Sequence, residues 1–126
     1  MNILFVDDQE NLRLLYQLGL TQEGHRVFTA GGGHEAVLAV RGQPFDIIII
    51  DLEMPHMDGW EAVQKIRTLP FGKSTRIVIF TSQPLVLSSH QIHQRGVSGI
   101  LNKPLTPAEL LTYVSQIAFH QPARGH

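Results

Sequence analysis

Five side chains suited to phosphate chemistry lie just beyond four short apolar segments of this 126-residue chain. The segments are "ILFV" (3–6), "IIII" (47–50), "IVIF" (77–80) and "GIL" (99–101), and the side chains are Asp7, Asp8, Asp51, Thr81 and Lys103. Such a set can transfer a phosphoryl group, because cations neutralise its oxygens while a carboxylate attacks phosphorus. Clustered carboxylates repel one another unless a cation relieves them, and Mg²⁺ prefers oxygen ligands of this kind. The set therefore predicts magnesium-assisted phosphoryl transfer.

Each of these residues also has an ordinary structural explanation. An aspartate pair is a common helix cap, and a lone lysine is usually a solvated loop residue. Asp51 directly follows four isoleucines, so it is either a turn residue or a reactive group aimed by a rigid strand. Aspartate is an attested covalent phosphate acceptor. Because four segments deliver the whole set, we favour the second interpretation and predict Asp51 as the nucleophile.

The apolar segments are typical of strands buried on both faces. They lack two-residue alternation and are too short for helices, and "RVFTA" (26–30) is a weaker fifth segment. Helical patterns separate them, which predicts an α/β fold: a flavodoxin-like, doubly wound, five-stranded parallel sheet of order 2-1-3-4-5 with five helices. Ligands of such sheets bind outside the carboxyl ends of the strands, where the reactive side chains lie.

The helical patterns differ in the strength of their boundary signals. Apolar spacing predicts helices around residues 12–19, 35–40 and 60–66, and glycines 24 and 42 follow the first two. The last helix begins with a capping box, "TPAE" (106–109), that has proline at the first helical position. The fourth helix is predicted over 85–95, "LVLSSHQIHQR", which mixes leucines with indifferent helix formers.

Composition excludes several classes of protein. The length favours one domain, and the absence of cysteine removes disulfide frameworks, thiolate zinc sites and cysteine nucleophiles. A formal net charge of −1 lacks the basic footprint of a nucleic-acid binder. No apolar run approaches the ~20 residues of a membrane span, and the amino terminus does not resemble a signal peptide. We expect a cytoplasmic domain over residues 1–119, followed at 120–126 by a disordered tail, a linker stub or a cloning remnant.

Four sequence pieces together carry a family resemblance. They are "VDDQ", "DLEMPHMDG", "FTSQ" and "LNKPL", in this order along the chain. With these pieces the chain resembles, over nearly its full length, the receiver domain of a two-component response regulator. That family includes single-domain chemotaxis-type proteins and the receiver parts of larger regulators.

The resemblance implies a role for each matched carboxylate. Asp51 would be the phosphoacceptor, in a reaction that depends on Mg²⁺. Asp8 would bind the ion directly together with Asp51, while Asp7 would assist mainly through water. The backbone carbonyl of Glu53 would be the remaining protein ligand.

The resemblance also implies how the phosphoryl group is held and where it comes from. Thr81 would donate a hydrogen bond to it and act as a switch residue. Lys103 would pair with it, and the Lys103–Pro104 peptide bond would be cis. The donor would be a phosphohistidine on a sensor histidine kinase or a histidine phosphotransfer domain, and a downstream protein would read the face formed by the fourth helix, fifth strand and fifth helix.

The resemblance also links three further positions to tuning and readout. Glu53 and Gln83 lie two residues beyond Asp51 and Thr81, where side chains tune how readily water removes the phosphate. Both are equally explained as exposed polar residues. Ile100 lies where the family commonly has an aromatic switch residue, so the readout of phosphorylation is expected to differ.

Other functions leave recognisable patterns that are weak here. An aspartate-nucleophile phosphohydrolase is the main alternative, but Gln9 lies where its second aspartate is needed, and no cap domain exists. A flavin binder would need phosphate-cradling loops in place of an acidic edge. His90 and His93 without further ligands indicate a solvated helix face. The chain is therefore expected to be a non-enzymatic switch, monomeric or weakly dimeric.

Overall fold

The computed structural model describes residues 1–119, which form one sheet between two layers of helices. The strands are β1 (Asn2–Val6), β2 (Arg26–Ala30), β3 (Ile47–Ile50), β4 (Arg76–Thr81) and β5 (Gly99–Asn102). The helices are α1 (Glu10–Thr21), α2 (Gly33–Gly42), α3 (Gly59–Arg67), α4 (Ser89–Gln94) and α5 (Pro107–Phe119). The predicted tail at 120–126 lies outside the described residues. Among residues 1–119, no helix is long and apolar enough to cross a membrane.

The sheet is parallel and has the order β2-β1-β3-β4-β5, which confirms the predicted topology. Its central strand shows why the apolar runs do not alternate with polar residues. Ile48 and Ile50 pack into a cluster with α2 and α3, whereas Ile47 and Ile49 pack into a second cluster with α1 and α5. Since both faces are covered, every position of β3 is buried, and each such side chain stabilises the fold by about 1.5–3 kcal/mol.

Side-chain caps fix where α3 and α5 begin. Asp58 accepts a hydrogen bond from the Glu61 amide at 3.0 Å and so starts α3 directly after the loop that follows β3. The predicted capping box of α5 is present, since Thr106 and Glu109 exchange hydrogen bonds of 2.8 and 3.1 Å. These caps set the length of the loops at the carboxyl edge of the sheet.

Helix α4 is shorter than the sequence pattern predicted. It begins at Ser89, and residues 85–88 lie outside it. Ser88 and Gln91 form a capping box that fixes the start, so the upstream leucines belong to a loop after Pro84. Leu85 packs against the core, while Val86 is 95% exposed. The prediction over 85–95 was therefore wrong for its first turn.

Arg67, at the end of α3, connects three chain segments at the opposite edge of the sheet. Its guanidinium donates to the carbonyls of Gly72 and Thr75 at 2.8 and 2.7 Å and to that of Gly96. Burial lowers the pKa of Arg67, so these hydrogen bonds must offset a desolvation cost. The residue thus holds together the connections that precede β4 and β5.

Arg67→Ala is expected to lower the free energy of unfolding by about 3 kcal/mol, because it leaves several carbonyls unsatisfied. Arg67→Lys recovers little, since an ammonium cannot reproduce the planar fork. Urea unfolding at neutral pH measures the change. Lys65→Ala, at an exposed cation in the same helix turn, is the control and should cost less than about 0.5 kcal/mol. A similar loss in both variants would contradict this role for Arg67.

Candidate functional site

The reactive side chains converge at the carboxyl edge of the sheet because the strands are in register there. Val6 pairs with Ile50, and Ile50 pairs with Ile79, so β1, β3 and β4 end side by side. Thr81 pairs with Asn102, which places the end of β5 next to them. The residues that follow these strand ends therefore share one cleft, although they lie as far apart in sequence as Asp7 and Lys103.

Three carboxylates form the floor of this cleft. Asp7, Asp8 and Asp51 each place one oxygen within 4.8 Å of the others. Asp7 is 1% exposed and Asp51 6%, whereas Asp8 is open to solvent. A set of hard oxygen donors with one exposed member suits a divalent cation that keeps some of its waters, as Mg²⁺ does. The donor set thus fits the predicted ion.

Lys103 provides an internal cation for the two buried carboxylates. Its Nζ lies 2.7 Å from Asp7 Oδ2 and 3.3 Å from Asp51 Oδ2. The ammonium also lies over the ring of Phe80, 5.4 Å from its centre, and the Lys103–Pro104 peptide bond is cis. The sequence placed Lys103 near the acceptor but did not reveal its close pairing with Asp7.

The opposing effects of burial and charge are visible in the pKa values. Burial raises the pKa of Asp51 above its usual range, and the Glu53 amide and Lys103 only partly offset this. Burial alone would lower the pKa of Lys103, but the hydrogen bond and charge of Asp7, with a smaller contribution from Asp51, raise it. Lys103 is therefore firmly charged, while ionised Asp51 is held at a cost to stability.

Asp51→Asn is expected to stabilise the metal-free protein at neutral pH by about 1 kcal/mol, a typical gain for a stabilising substitution, because it removes a carboxylate whose charged form burial disfavours. A raised pKa means that the folded state binds the Asp51 proton more tightly than the unfolded chain does. Its favourable contribution is thus present below the unfolded pKa and is lost as pH rises through the folded pKa. The variant's advantage should therefore shrink towards about pH 4. Thermal unfolding in EDTA across this range measures it, and a constant difference would contradict the assignment.

Backbone amides orient the buried carboxylates so that their two oxygens differ. Asp51 Oδ1 accepts from the Glu53 amide at 3.2 Å, and Asp7 Oδ1 accepts from the Gln9 amide at 2.9 Å. The Oδ2 atom of each faces Lys103. Asp51 therefore presents one defined oxygen, Oδ2, beside the ammonium.

The loop between β3 and α3 packs closely behind the acceptor. A Cβ on Gly59 would lie 2.5 Å from the Asp51 carbonyl oxygen, so no larger residue fits without a backbone shift. Met54 and Met57 are buried in the core, and His56 has φ of 70°. These observations support the interpretation of this segment as loop architecture that fixes Asp51.

The segment after β4 forms the opposite wall of the cleft. Thr81 is fully buried, and its hydroxyl oxygen accepts from the Gln83 amide at 3.1 Å, which leaves its hydrogen to be donated. Ser82 Oγ donates to Glu53 Oε1 at 2.8 Å, across the cleft from one loop to the other. Asn102 Nδ2 donates to the Gln83 carbonyl at 2.9 Å.

The roles of Ser82 and Asn102 were missed from the sequence. Their only signal was position, since both adjoin matched residues at strand ends. The Gln83 side chain is exposed, as is Glu53. Ile100 is partly buried and packs against the same core cluster as Leu85 and Ile92.

Comparison with known proteins places this chain in a family. The family model described as the response regulator receiver domain matches residues 3–115. The chain is 36% identical over 107 residues to a probable chemotaxis protein CheY of Rhizobium etli, covering 84% of this chain and 83% of that one. It is 32% identical to the sensor protein GacS of Pseudomonas syringae over 96% of its own length, but it spans only 14% of that protein. The receiver domain of the Pseudomonas aeruginosa sensor histidine kinase PA1611, solved with a magnesium ion in its active-site cleft, has a TM-score of 0.79 and 29% identity, covering 91% of this chain and 94% of that one.

Proposed function

Because the chain belongs to the response regulator receiver domain family, whose members are phosphoryl-accepting signalling modules, we propose that Asp51 is its acceptor and that the phosphoryl group comes from a phosphohistidine. One observation carries the assignment to Asp51. It is the buried carboxylate at the end of the central strand, held by the Glu53 amide and facing Lys103 within the aspartate cluster. No other carboxylate of the cluster combines these features. We also propose that the receiver domain comprises residues 1–119.

In the proposed step, Asp51 Oδ2 attacks phosphorus. A bond forms from this oxygen to phosphorus as the phosphorus–nitrogen bond of the donor breaks. The imidazole nitrogen leaves with the electron pair and takes up a proton. Oδ2 is the attacking atom because Oδ1 is held by the Glu53 amide, whereas Oδ2 faces the ammonium that will neutralise the arriving group.

Lys103 and Thr81 hold the group once it is attached. Lys103 Nζ, 3.3 Å from Oδ2, lies within reach of phosphoryl oxygens bonded to that atom. The Thr81 hydroxyl hydrogen is available for donation, because its oxygen already accepts from Gln83. Movement of Thr81 towards the phosphoryl group would transmit the change to the adjoining loop and α4.

The carboxylate cluster supports a site for Mg²⁺. Asp8 and Asp51 would hold the ion directly, Asp7 would act through water, and the Glu53 carbonyl would be the remaining protein ligand. When bound, Mg²⁺ supplies positive charge that neutralises the phosphoryl oxygens. The magnesium ion in the related PA1611 receiver supports this choice of ion.

Asp8→Ala is expected to weaken Mg²⁺ binding at least about tenfold and to remove most phosphoryl uptake. Incubation with acetyl phosphate, followed by intact-mass measurement with Mg²⁺ or with EDTA, tests the proposed function. Wild-type protein should gain one phosphate only with Mg²⁺. Isothermal titration of Mg²⁺ into the variant provides a readout independent of phosphorylation. Uptake by wild-type protein that is insensitive to EDTA would contradict the proposal.

The partners follow from the donor chemistry. We propose a sensor histidine kinase or a histidine phosphotransfer domain as donor, and a protein target that reads α4, β5 and α5. Ile100 lies in β5 without the aromatic ring common in the family, so the proposed readout relies on aliphatic packing against the core cluster that Leu85 and Ile92 also contact. The proposed chemistry is the self-catalysed phosphorylation and later dephosphorylation of Asp51, without the turnover of an external substrate that a phosphohydrolase carries out.

A further inference from the structure

We propose that Ser82 is a positioning residue that holds the Glu53 carboxylate across the acceptor cleft and thereby prolongs the life of the phosphorylated state. The inference rests on the proposed function of Asp51. It starts from the hydrogen bond of 2.8 Å that Ser82 Oγ donates to Glu53 Oε1, between side chains 29 residues apart.

The bond spans the cleft because its two residues lie on different loops, one after β3 and the other after β4. Glu53 is tied to the acceptor, since its amide donates to Asp51 Oδ1 at 3.2 Å. Ser82 directly follows the buried Thr81 at the end of β4. Since β3 and β4 are paired at Ile50 and Ile79, a bond between the two loops closes over the gap beyond Asp51.

The wall that carries Ser82 is itself fixed. The carbonyl of Gln83 accepts from Asn102 Nδ2 at 2.9 Å, and the amide of Gln83 donates to the Thr81 hydroxyl at 3.1 Å. Ser82 therefore presents its hydroxyl from a backbone held on both sides. Glu53, by contrast, is exposed, and its side chain would sample many rotamers without this partner.

A carboxylate held at this place acts on hydrolysis. In hydrolysis, the oxygen of a water forms a bond to phosphorus as the bond to Asp51 Oδ2 breaks, which yields the carboxylate, inorganic phosphate and one proton. The incoming water becomes partly bonded to a group that is already anionic. A fixed negative charge and side chain over the opening disfavour this approach, whereas a freely moving Glu53 leaves it open.

Ser82→Ala is expected to shorten the lifetime of the acylphosphate about threefold, the shift that loss of one exposed hydrogen bond produces. Ser82→Thr, which keeps a hydroxyl, should restore the wild-type lifetime. Glu53→Gln and Glu53→Ala should both shorten it, and Ser82→Ala should add nothing in the Glu53→Ala background. Ser98→Ala is the matched control and should have no effect. Ser98 is exposed and directly precedes the amino end of β5, opposite to the end that adjoins the cleft.

The experiment phosphorylates each protein with acetyl phosphate and Mg²⁺, removes the donor by desalting, and follows the adduct by intact mass. The expected pattern supports the proposal. A wild-type lifetime for Ser82→Ala would overturn it, and so would a Ser82→Ala effect that persists without Glu53, because Ser82 would then act by itself. If wild-type protein forms no adduct, the proposed function of Asp51 fails, and this inference fails with it.

Discussion

Asp51→Asn is expected to abolish the gain of one phosphate that acetyl phosphate and Mg²⁺ produce in the wild-type protein. The amide that replaces the carboxylate is a poor nucleophile, and it removes the oxygen that faces Lys103 at 3.3 Å. Asp7 is not expected to take over, because it is only 1% exposed and its Oδ2 pairs more closely with Lys103 Nζ, at 2.7 Å against 3.3 Å for Asp51 Oδ2. The measurement is the intact mass after incubation, and the loss should be complete.

Asp46→Asn is the matched control for this substitution. Asp46 precedes the same strand, β3, that Asp51 follows, and it lies exposed at the opposite edge of the sheet. Its Oδ2 accepts from the Asn2 amide at 2.7 Å, a role that an asparagine oxygen can preserve. Normal uptake is expected in Asp46→Asn. Persistent uptake in Asp51→Asn would contradict the assignment of the acceptor.

Lys103→Met is expected to slow phosphoryl uptake about 100-fold at saturating Mg²⁺, the typical effect of removing one preorganised group that stabilises transition-state charge. The affinity for Mg²⁺ should instead increase several-fold. In the wild-type protein, Lys103 competes with the ion, since its Nζ pairs with Asp7 Oδ2 and Asp51 Oδ2. Removing it leaves repelling carboxylates that a divalent cation would relieve.

Two assays separate these effects of Lys103. The rate of mass gain with acetyl phosphate measures the chemistry, and isothermal titration of Mg²⁺ measures binding. Lys73→Met, at an exposed lysine on the far side of the sheet, should behave as wild type in both. A near-normal uptake rate in Lys103→Met, or a loss of Mg²⁺ affinity, would contradict the role assigned to this lysine.

The sheet could be predicted from sequence because its signals are local. Apolar runs such as the four isoleucines of β3, separated by helical spacing and glycine, indicated the number and order of the strands. The start of α4 could not be predicted in the same way. Leucines at 85 and 87 suit a helix and a loop equally well, and the capping box of Ser88 and Gln91 decided between them.

The sequence was enough to predict which residues of the site lie at the same edge of the sheet. Parallel strands must bring Asp7, Asp51, Thr81 and Lys103 together, so convergence followed from topology. The direction of each side chain did not follow from the topology. The pairing of Lys103 with Asp7 and the contact of Ser82 with Glu53 depend on loop geometry and rotamers, which sequence spacing does not encode.

The central claim is that the carboxylate of Asp51 carries the phosphoryl group, and chemical mapping tests it most directly. Wild-type protein is phosphorylated with acetyl phosphate and Mg²⁺ and then treated with borohydride, which reduces an acylphosphate to an alcohol. After proteolysis, tandem mass spectrometry locates the residue that has become homoserine. We expect it at position 51. Homoserine at position 7, 8 or 58 would contradict the claim.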